Sequence, residues 1–420
     1  MSEVIPRGWS AHELEDLMLK IEGGGTPSRA NPAFWNGSIP WATVKDLKSI
    51  RLSFTEESIT ESGVSASASR LVLANTPIIA TRMAVGKIVV FDKTVAINQD
   101  LKAIYPSQRL DAEFFLHWYL ANSEKIANLA TGSTVKGIRL EILRALPLKL
   151  PPLPEQQKIA TILSSVDNVI EKTRAQIDKL KELKTGMMQD LLTQGIGHTE
   201  FKDSQVGRIP ASWSCCLLQD VAVIQTGIAK NGKITGNLIE VPYLRVANVQ
   251  DGYLDLREIK TISLEVSRLN RFLLRHEDVL VNEGGDFDKL GRGFIWHNQI
   301  SPCVHQNHVF VVRTEKSKLL PIFFNYLSGS EYGKKYYLGC AKQTTNLASL
   351  NSTQLKAFPV LLPPIHEQRR ICEVLQSFDK RLQNSINYLE TLQILKKSLM
   401  QDLLTGKVRV KVDSPETVAA

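Results

Sequence analysis

No segment of the chain approaches the roughly 18 uninterrupted apolar residues that a membrane-spanning helix requires. The opening residues, Met1-Ser2-Glu3-Val4-Ile5-Pro6-Arg7, lack the basic-then-apolar layout of a secretory signal, so a cytoplasmic location is expected. Cysteine is scarce too: Cys215, Cys216, Cys303, Cys340 and Cys372 form no CxxC pair, and an odd count argues against a disulfide framework. They read as small core residues. Histidine numbers only eight, and His305-Gln-Asn-His308 has no third clustered ligand, which favours hydrogen bonding over metal binding.

Complete catalytic motifs are missing as well. There is no Gly-x-Ser-x-Gly elbow and no His-Glu-x-x-His pair. Gly227-Ile-Ala-Lys-Asn-Gly-Lys233 has the spacing of a phosphate loop, but Ile234 stands where a hydroxyl must hold Mg²⁺ and no helix opens behind it. Asn31-Pro-Ala-Phe34 only partly matches an amino-methyltransferase loop and reads as a turn before Trp35. Acid-x-Lys triplets at Asp46, Asp100, Glu182 and Glu258 are scattered over unlike segments, as chance would scatter them. The chain is therefore expected to carry no metal, no cofactor and no complete chemistry of its own.

What is present is a duplication. Pro147-Leu-Lys-Leu-Pro-Pro-Leu-Pro-Glu-Gln156 returns 212 residues later as Pro359-Val-Leu-Leu-Pro-Pro-Ile-His-Glu-Gln368. The match runs without a gap to Gln-Asp-Leu-Leu-Thr193 and Gln-Asp-Leu-Leu-Thr405, with 19 identities in 47 positions. Within each copy the apolar residues step by three and four, the period of an amphipathic helix. The predicted seam holds Ile159, Leu163, Val166, Ile170, Ile177 and Leu180 in one copy, and Ile371, Leu375, Phe378, Leu382, Leu389 and Leu392 in the other. Paired prolines at 151–152 and 363–364 fix where each helix can begin, and Gly195 and Gly406 mark where each ends. A helix of about 39 residues would be nearly 60 Å long. Its economical partner is the other copy, packed antiparallel under a pseudo-twofold with spare apolar surface for other chains.

The flanking segments repeat more faintly. Pro6-Arg-Gly-Trp9 parallels Pro210-Ala-Ser-Trp213, and Ile39-Pro-Trp41 parallels Val241-Pro-Tyr243. Short strands are predicted at Pro77–Ala80, Lys87–Phe91, Asp278–Val281 and His308–Val312, with buried helices at Phe114–Leu120 and Ile322–Leu327. The predicted division is 1–150 and 197–362 for two globular modules, 151–196 and 363–412 for the helices, and 413–420 for a tail. Net charge is +8, and +7 of it lies outside the two helices, so the modules carry the basic surface.

A basic surface points to a polyanion, and duplex DNA requires Lys and Arg for phosphates and Arg, Lys, Asn, Gln or hydroxyl groups for base edges. Candidate DNA-binding residues in the first module are Arg29, Trp35, Lys45, Arg82, Lys87, Thr134 and Lys136. In the second they are Arg245, Asn248, Lys289, Arg292, Gln343 and Asn346. Two other readings compete: a standalone DNA methyltransferase or nuclease with drifted motifs, and a coiled-coil scaffold that never touches DNA.

The paired Pro-Pro-x-x-Glu-Gln helices ending in Gln-Asp-Leu-Leu-Thr resemble those of the specificity subunits of type I restriction-modification systems. Gly24-Gly-Thr-Pro27, Ile39-Pro-Trp41, Asn98-Gln-Asp100 and Gly132-Ser-Thr134 also resemble segments of that family's recognition domains. The second module departs from the pattern, with Gly227-Ile-Ala-Lys in place of a Gly-Gly-Thr-Pro segment. The resemblance implies an α+β fold of two mixed α/β target recognition domains joined by two long antiparallel coiled-coil helices. It implies that each domain reads one half of a split, asymmetric DNA site. It also implies two modification subunits that bring S-adenosylmethionine, and motor-nuclease subunits that use ATP and Mg²⁺.

Overall fold

The computed structural model describes residues 5–229, 236–285, 290–340 and 348–412. Two helices dominate it, Leu153–Thr193 and Ile365–Leu403, of 41 and 39 residues. Each follows a proline pair that cannot continue a strand ladder and is tolerated before a first helical turn. Each is followed by a glycine in the left-handed region, Gly195 and Gly406, both at φ +71°. Among the described residues no helix is long and apolar enough to cross a membrane.

The contacts divide the chain into two compact units, and the division falls inside both long helices. One unit comprises 1–174 and 387–420, the other 175–386. Sequence periodicity treated the helices as separate spacer segments; instead each unit builds its core on the start of one helix and the end of the other. The reason is visible in the cores. Ile159 and Leu163 pack with Trp9, Phe114, Phe115 and Leu148, and with Leu403 and Leu404. Ile371 and Leu375 pack with Trp213, Phe323, Phe324 and Phe358, and with Leu192. These four residues, predicted as helix seam, are thus module core: a stripe next to a β-rich module buries more apolar surface there than against one other helix.

Farther along the helices the stripe behaves as a seam. Ile170, Ile177 and Leu392 are buried, whereas Val166, Leu180, Phe378, Leu382 and Leu389 are half-buried. Within each unit the helix segments run antiparallel. In the first, Asp167 meets Lys396 at 2.5 Å; in the second, Asp379 meets Lys184 at 2.5 Å. The repeat offset maps one pair onto the other. Leu183 and Leu395, also equivalent, are each 47% exposed.

The first unit holds a five-stranded sheet in the order Met18–Gly23, Leu101–Pro106, Ile78–Ala80, Ile88–Phe91, Arg51–Leu52. A four-stranded sheet runs Glu57–Ile59, Trp35–Ala42, Val95–Ile97, Arg70–Val72. The second unit has a four-stranded sheet, Ala222–Gln225, Val309–Thr314, Val279–Asn282, Gly293–Ile295, and a three-stranded one, Lys260–Glu265, Leu238–Leu244, Val304–His305. The predicted strands and the helices Ala112–Ala121 and Pro321–Gly329 fall where the sequence pattern put them.

The two units share local geometry closely. Trp41 pairs in parallel with Ala96, as Tyr243 does with Val304. Ser10–Glu13 pairs antiparallel with Pro147–Leu150, and Ser214–Leu217 with Pro359–Leu362, in the same register. A Cβ on Gly24 would lie 1.8 Å from the carbonyl oxygen of Ile97, and one on Gly227 would lie 2.1 Å from that of His305. The second module therefore keeps the glycine that its close backbone contact demands, although it has lost the surrounding Gly-Gly-Thr-Pro segment.

The Glu-Gln dipeptide that begins each helix fastens it to its module. Glu155 accepts the indole N–H of Trp9 at 3.2 Å, and Glu367 that of Trp213 at 3.0 Å. The Gln156 amide donates to the carbonyls of Arg109 and Pro151 and accepts from the Asp111 N–H. Gln368 does the same with Lys318, Pro363 and Leu320. A fully buried amide that satisfies three backbone groups fixes both position and rotation of a helix start.

Candidate nucleic-acid interface

In the first module the Arg29 guanidinium lies over the Trp35 ring, 3.8 Å from its centroid, and 5.3 Å from that of Trp41. The two indoles meet edge to face at 5.1 Å. Each indole is tethered by its N–H, Trp35 to the carbonyl of Ser28 and Trp41 to that of Gly25, both at 3.1 Å. Both guanidinium nitrogens of Arg29 engage Glu57, Nη2 at 2.9 Å from Oε2. That pairing holds the Glu57 carboxyl below the usual range. The result is an exposed guanidinium fixed in orientation, a rigid planar donor of the kind that recognises phosphates or base edges.

Two other loops of the module meet each other. Met83 N–H donates to the Lys136 carbonyl at 2.9 Å, and Ile138 N–H to that of Thr81 at 2.9 Å, which brings Arg82 and Lys136 onto one rim with the exposed Thr134. Thr26 Oγ1, near Arg29 in sequence, donates to Gln99 at 2.6 Å and ties the two areas together. Lys45 is exposed on the turn that follows Trp41. Lys87, exposed, donates from Nζ to the carbonyl of Leu47 at 2.8 Å.

In the second module one expectation is corrected. Asn248 is only 3% exposed; its side chain accepts from Arg245 N–H and donates to the carbonyls of Asp255 and Glu258. With its donors and acceptor engaged inside the fold it is a turn brace, not a base reader. Asp46 occupies the equivalent place in the first module, accepting from Thr43 N–H at 2.8 Å. Arg245 sits partly covered with Nη2 3.4 Å from Glu258, and Arg292 donates to Gln250 at 3.1 Å. Lys289, Gln343 and Asn346 lie outside the described residues.

His305 and His308 make hydrogen bonds within the module. His305 is buried, shares a 2.6 Å hydrogen bond with the Val309 carbonyl, and burial lowers its pKa to about 4. His308 meets Glu283 at 2.5 Å. Pro32–Phe34 forms a single turn capped by Asn31, as expected ahead of Trp35. Sequence reasoning passed over Lys102 and Arg139, which border the loop rim at Arg82. Lys102 belongs to a triplet set aside as chance, and its strand position gave no sign that it neighbours two loops distant in sequence.

Two modules of one plan, each built on the start of one long helix and the end of the other and each carrying basic loops, define a duplicated recognition protein. Both modules match the model for the type I restriction modification DNA specificity domain, over residues 6–182 and 210–391. The chain belongs to that family, as a type I specificity subunit. It is 23% identical to the type I restriction enzyme MjaIX specificity subunit of Methanocaldococcus jannaschii, over 97% of this chain and 95% of that protein. It is 31% identical to the EcoR124I/EcoR124II specificity subunit of Escherichia coli over 39% of this chain and 43% of that one. The fold matches the S subunit from M. genitalium with a TM-score of 0.58 at 15% identity, covering 96% of this chain and 98% of that one. A chain from a study of complex assembly and conformational transition in the type I system matches with a TM-score of 0.57 at 17% identity, over 96% and 100%.

Proposed function

We propose that this subunit reads a bipartite, asymmetric duplex DNA site, one half through each module, and that the two long helices set the number of base pairs between the halves. The observation that carries this is the construction of the modules: both are fastened to the helices by the same Trp, Glu and Gln contacts, while their loop residues differ. Fixed attachment with divergent loops suits two different readings held at a set separation. The chemistry would belong to other chains. Two modification subunits would bring S-adenosylmethionine, methylate adenine and flip the target base, and motor-nuclease subunits would use ATP and Mg²⁺. Leu183 and Leu395, equivalent and exposed on the long helices, offer apolar surface for helices of the modification subunits.

The test is methylated-adenine mapping in a host that carries the chain with its modification subunits. The wild type should give one split motif. Inserting one helical turn into both helices should lengthen the gap between its halves and leave the half-site bases unchanged. New half-site bases with the gap unaltered would overturn the ruler.

A further inference from the structure

A cleft of about 420 Å³ in the first module lies between the joined loops and the strand Leu101–Pro106. Three cations line it, Arg82, Lys102 and Arg139, together with the polar side chains of Thr81, Gln99 and Thr131. Arg82 and Arg139 are exposed, and neither has an ion-pair partner among the described residues. Lys102 is half-buried, with Nζ near the backbone of Gly23 and 3.4 Å from the Gln99 carbonyl. Its pKa is lowered, first by burial and further by the charge of Arg82, against the opposing pull of Asp100. Asp100, the nearby carboxylate, is itself held by the Asn98 amide at 3.1 Å. Three cations converging on one cavity repel one another, a repulsion that the Asp100 carboxylate offsets in part and an entering anion would relieve further.

Apolar side chains at and beside the cleft are open to solvent: Val135 lines it, and Met83 follows Arg82 in the adjoining loop. Val135 is 52% exposed, and Met83 is 66% exposed. Met83 adopts φ +61°, a conformation unfavourable for a side chain with a Cβ. The backbone on either side enforces it: Met83 N–H is bound to the Lys136 carbonyl, and Arg82 bridges Gly137. Gly86 closes the loop so tightly that a Cβ there would stand 2.5 Å from the Ser123 carbonyl. Local strain maintained by several tethers collects at ligand clamps and switch regions, and here it presents an apolar side chain outward.

From this arrangement we propose that the cleft is a nucleotide seat: Arg82, Lys102 and Arg139 hold one backbone phosphate of the duplex, and Met83 with Val135 packs against its sugar and base edge. The proposal rests on the DNA-reading function above and assigns it a contact point. Phosphate binding by clustered cations is sequence-independent and fixes register on the duplex. An apolar side chain beside it would enter a groove or a base step, as apolar wedges do.

The test uses the full chain assembled with its modification subunits and duplexes carrying its mapped site, each with one neutral methylphosphonate linkage in the half-site read by the first module. For the wild type, one linkage should cost about tenfold in affinity. For Arg82→Gln/Lys102→Gln/Arg139→Gln, that same substitution should cost less than twofold, and the slope of log affinity against log salt should fall by about 1. Met83→Ala should weaken binding severalfold with the salt slope unchanged. Should the triple variant fail to assemble, the exposed single variants Arg82→Gln and Arg139→Gln carry the same linkage test. Equal sensitivity of wild type and variants at every linkage would overturn the seat while leaving DNA reading intact. Absence of any site-specific binding by the wild-type assembly would instead overturn the function on which the seat rests.

Discussion

Arg409 forks onto Glu155 across 254 residues of chain, Nε to Oε1 and Nη2 to Oε2 both at 2.7 Å. The carboxylate is buried, with a side-chain exposure of 4%, and also accepts from Trp9. Arg409 further donates to the carbonyl of Arg7 and lies 5.9 Å from the Trp9 ring centroid. In the second unit His198 takes the corresponding place, 2.7 Å from Glu367. The segment after each long helix therefore returns to the Trp-Glu pair of a helix start within its own unit.

Removing Arg409 would leave Glu155 charged and short of its main partner. Because the arginine is 42% exposed, water would take up part of the loss, so Arg409→Met should destabilise the first unit by about 1–3 kcal/mol, less than a fully buried pair would cost. Adding Glu155→Gln should recover part of that loss, since a neutral amide tolerates burial better. Urea unfolding of the single and double variants measures both. An Arg409→Met chain as stable as wild type would mean the tail contributes no fastening.

The glycines facing a carbonyl predict a matched pair of defects. Gly24→Ala and Gly227→Ala should each lower stability by about 2 kcal/mol or more, because the obstructing atom is backbone and cannot swing aside. Gly186, inside the first long helix, has open space around its missing Cβ. Gly186→Ala should be neutral or stabilise by up to about 1 kcal/mol. Thermal midpoints of the three variants decide the matter. Similar midpoints for all three would refute the close contacts.

Period and repeat made the long helices legible, since an amphipathic stripe repeated at an offset of 212 residues with proline starts and glycine stops admits little else. The same stripe could not say what it faces: Ile159 and Ile371 obey the helical period equally well against a module as against another helix. Glu155 and Gln156 were legible only as repeat markers, yet their recurrence together with Trp9 and Trp213 was the available sign of a shared contact. Asn248 misled because an amide suits base reading and backbone bracing alike. Its place five residues after Tyr243, matching Asp46 after Trp41, was the signal that separates the two. Lys102 and Arg139 were invisible as partners, since nothing local links a strand lysine with a residue 37 positions on.

His117 offers a pH test of packing in the first unit. It is 1% exposed, shares a 3.0 Å contact with Ser164 Oγ, and burial lowers its pKa to about 4, partly opposed by Asp167 at 3.9 Å. Below about pH 6.5 the unfolded chain binds a proton there that the folded chain refuses, so stability falls as pH drops towards 4 and levels off beneath it. His117→Asn removes the titration. The stability of wild type relative to this variant should decline by a few kcal/mol between pH 7 and pH 4, in paired denaturation curves. Parallel curves for the two chains would show that His117 titrates alike in both states.

Glu57 predicts an effect on DNA binding opposite in sign to that of its partner. Its carboxylate neutralises Arg29 in the free chain, so a phosphate must compete for the guanidinium that lies over Trp35. In the assembled complex Glu57→Gln should raise affinity for non-specific duplex severalfold at low salt and steepen the salt slope by up to about 1. Arg29→Ala should lower affinity and make the slope shallower by a similar amount. Glu57→Gln should have no such effect when introduced into Arg29→Ala, because there the carboxylate has no guanidinium to mask. Filter binding across a salt series would expose the pattern. If Glu57→Gln binds like wild type at every salt concentration, Arg29 does not face the nucleic acid, and the Arg29–Trp35 stack is an internal brace of the module.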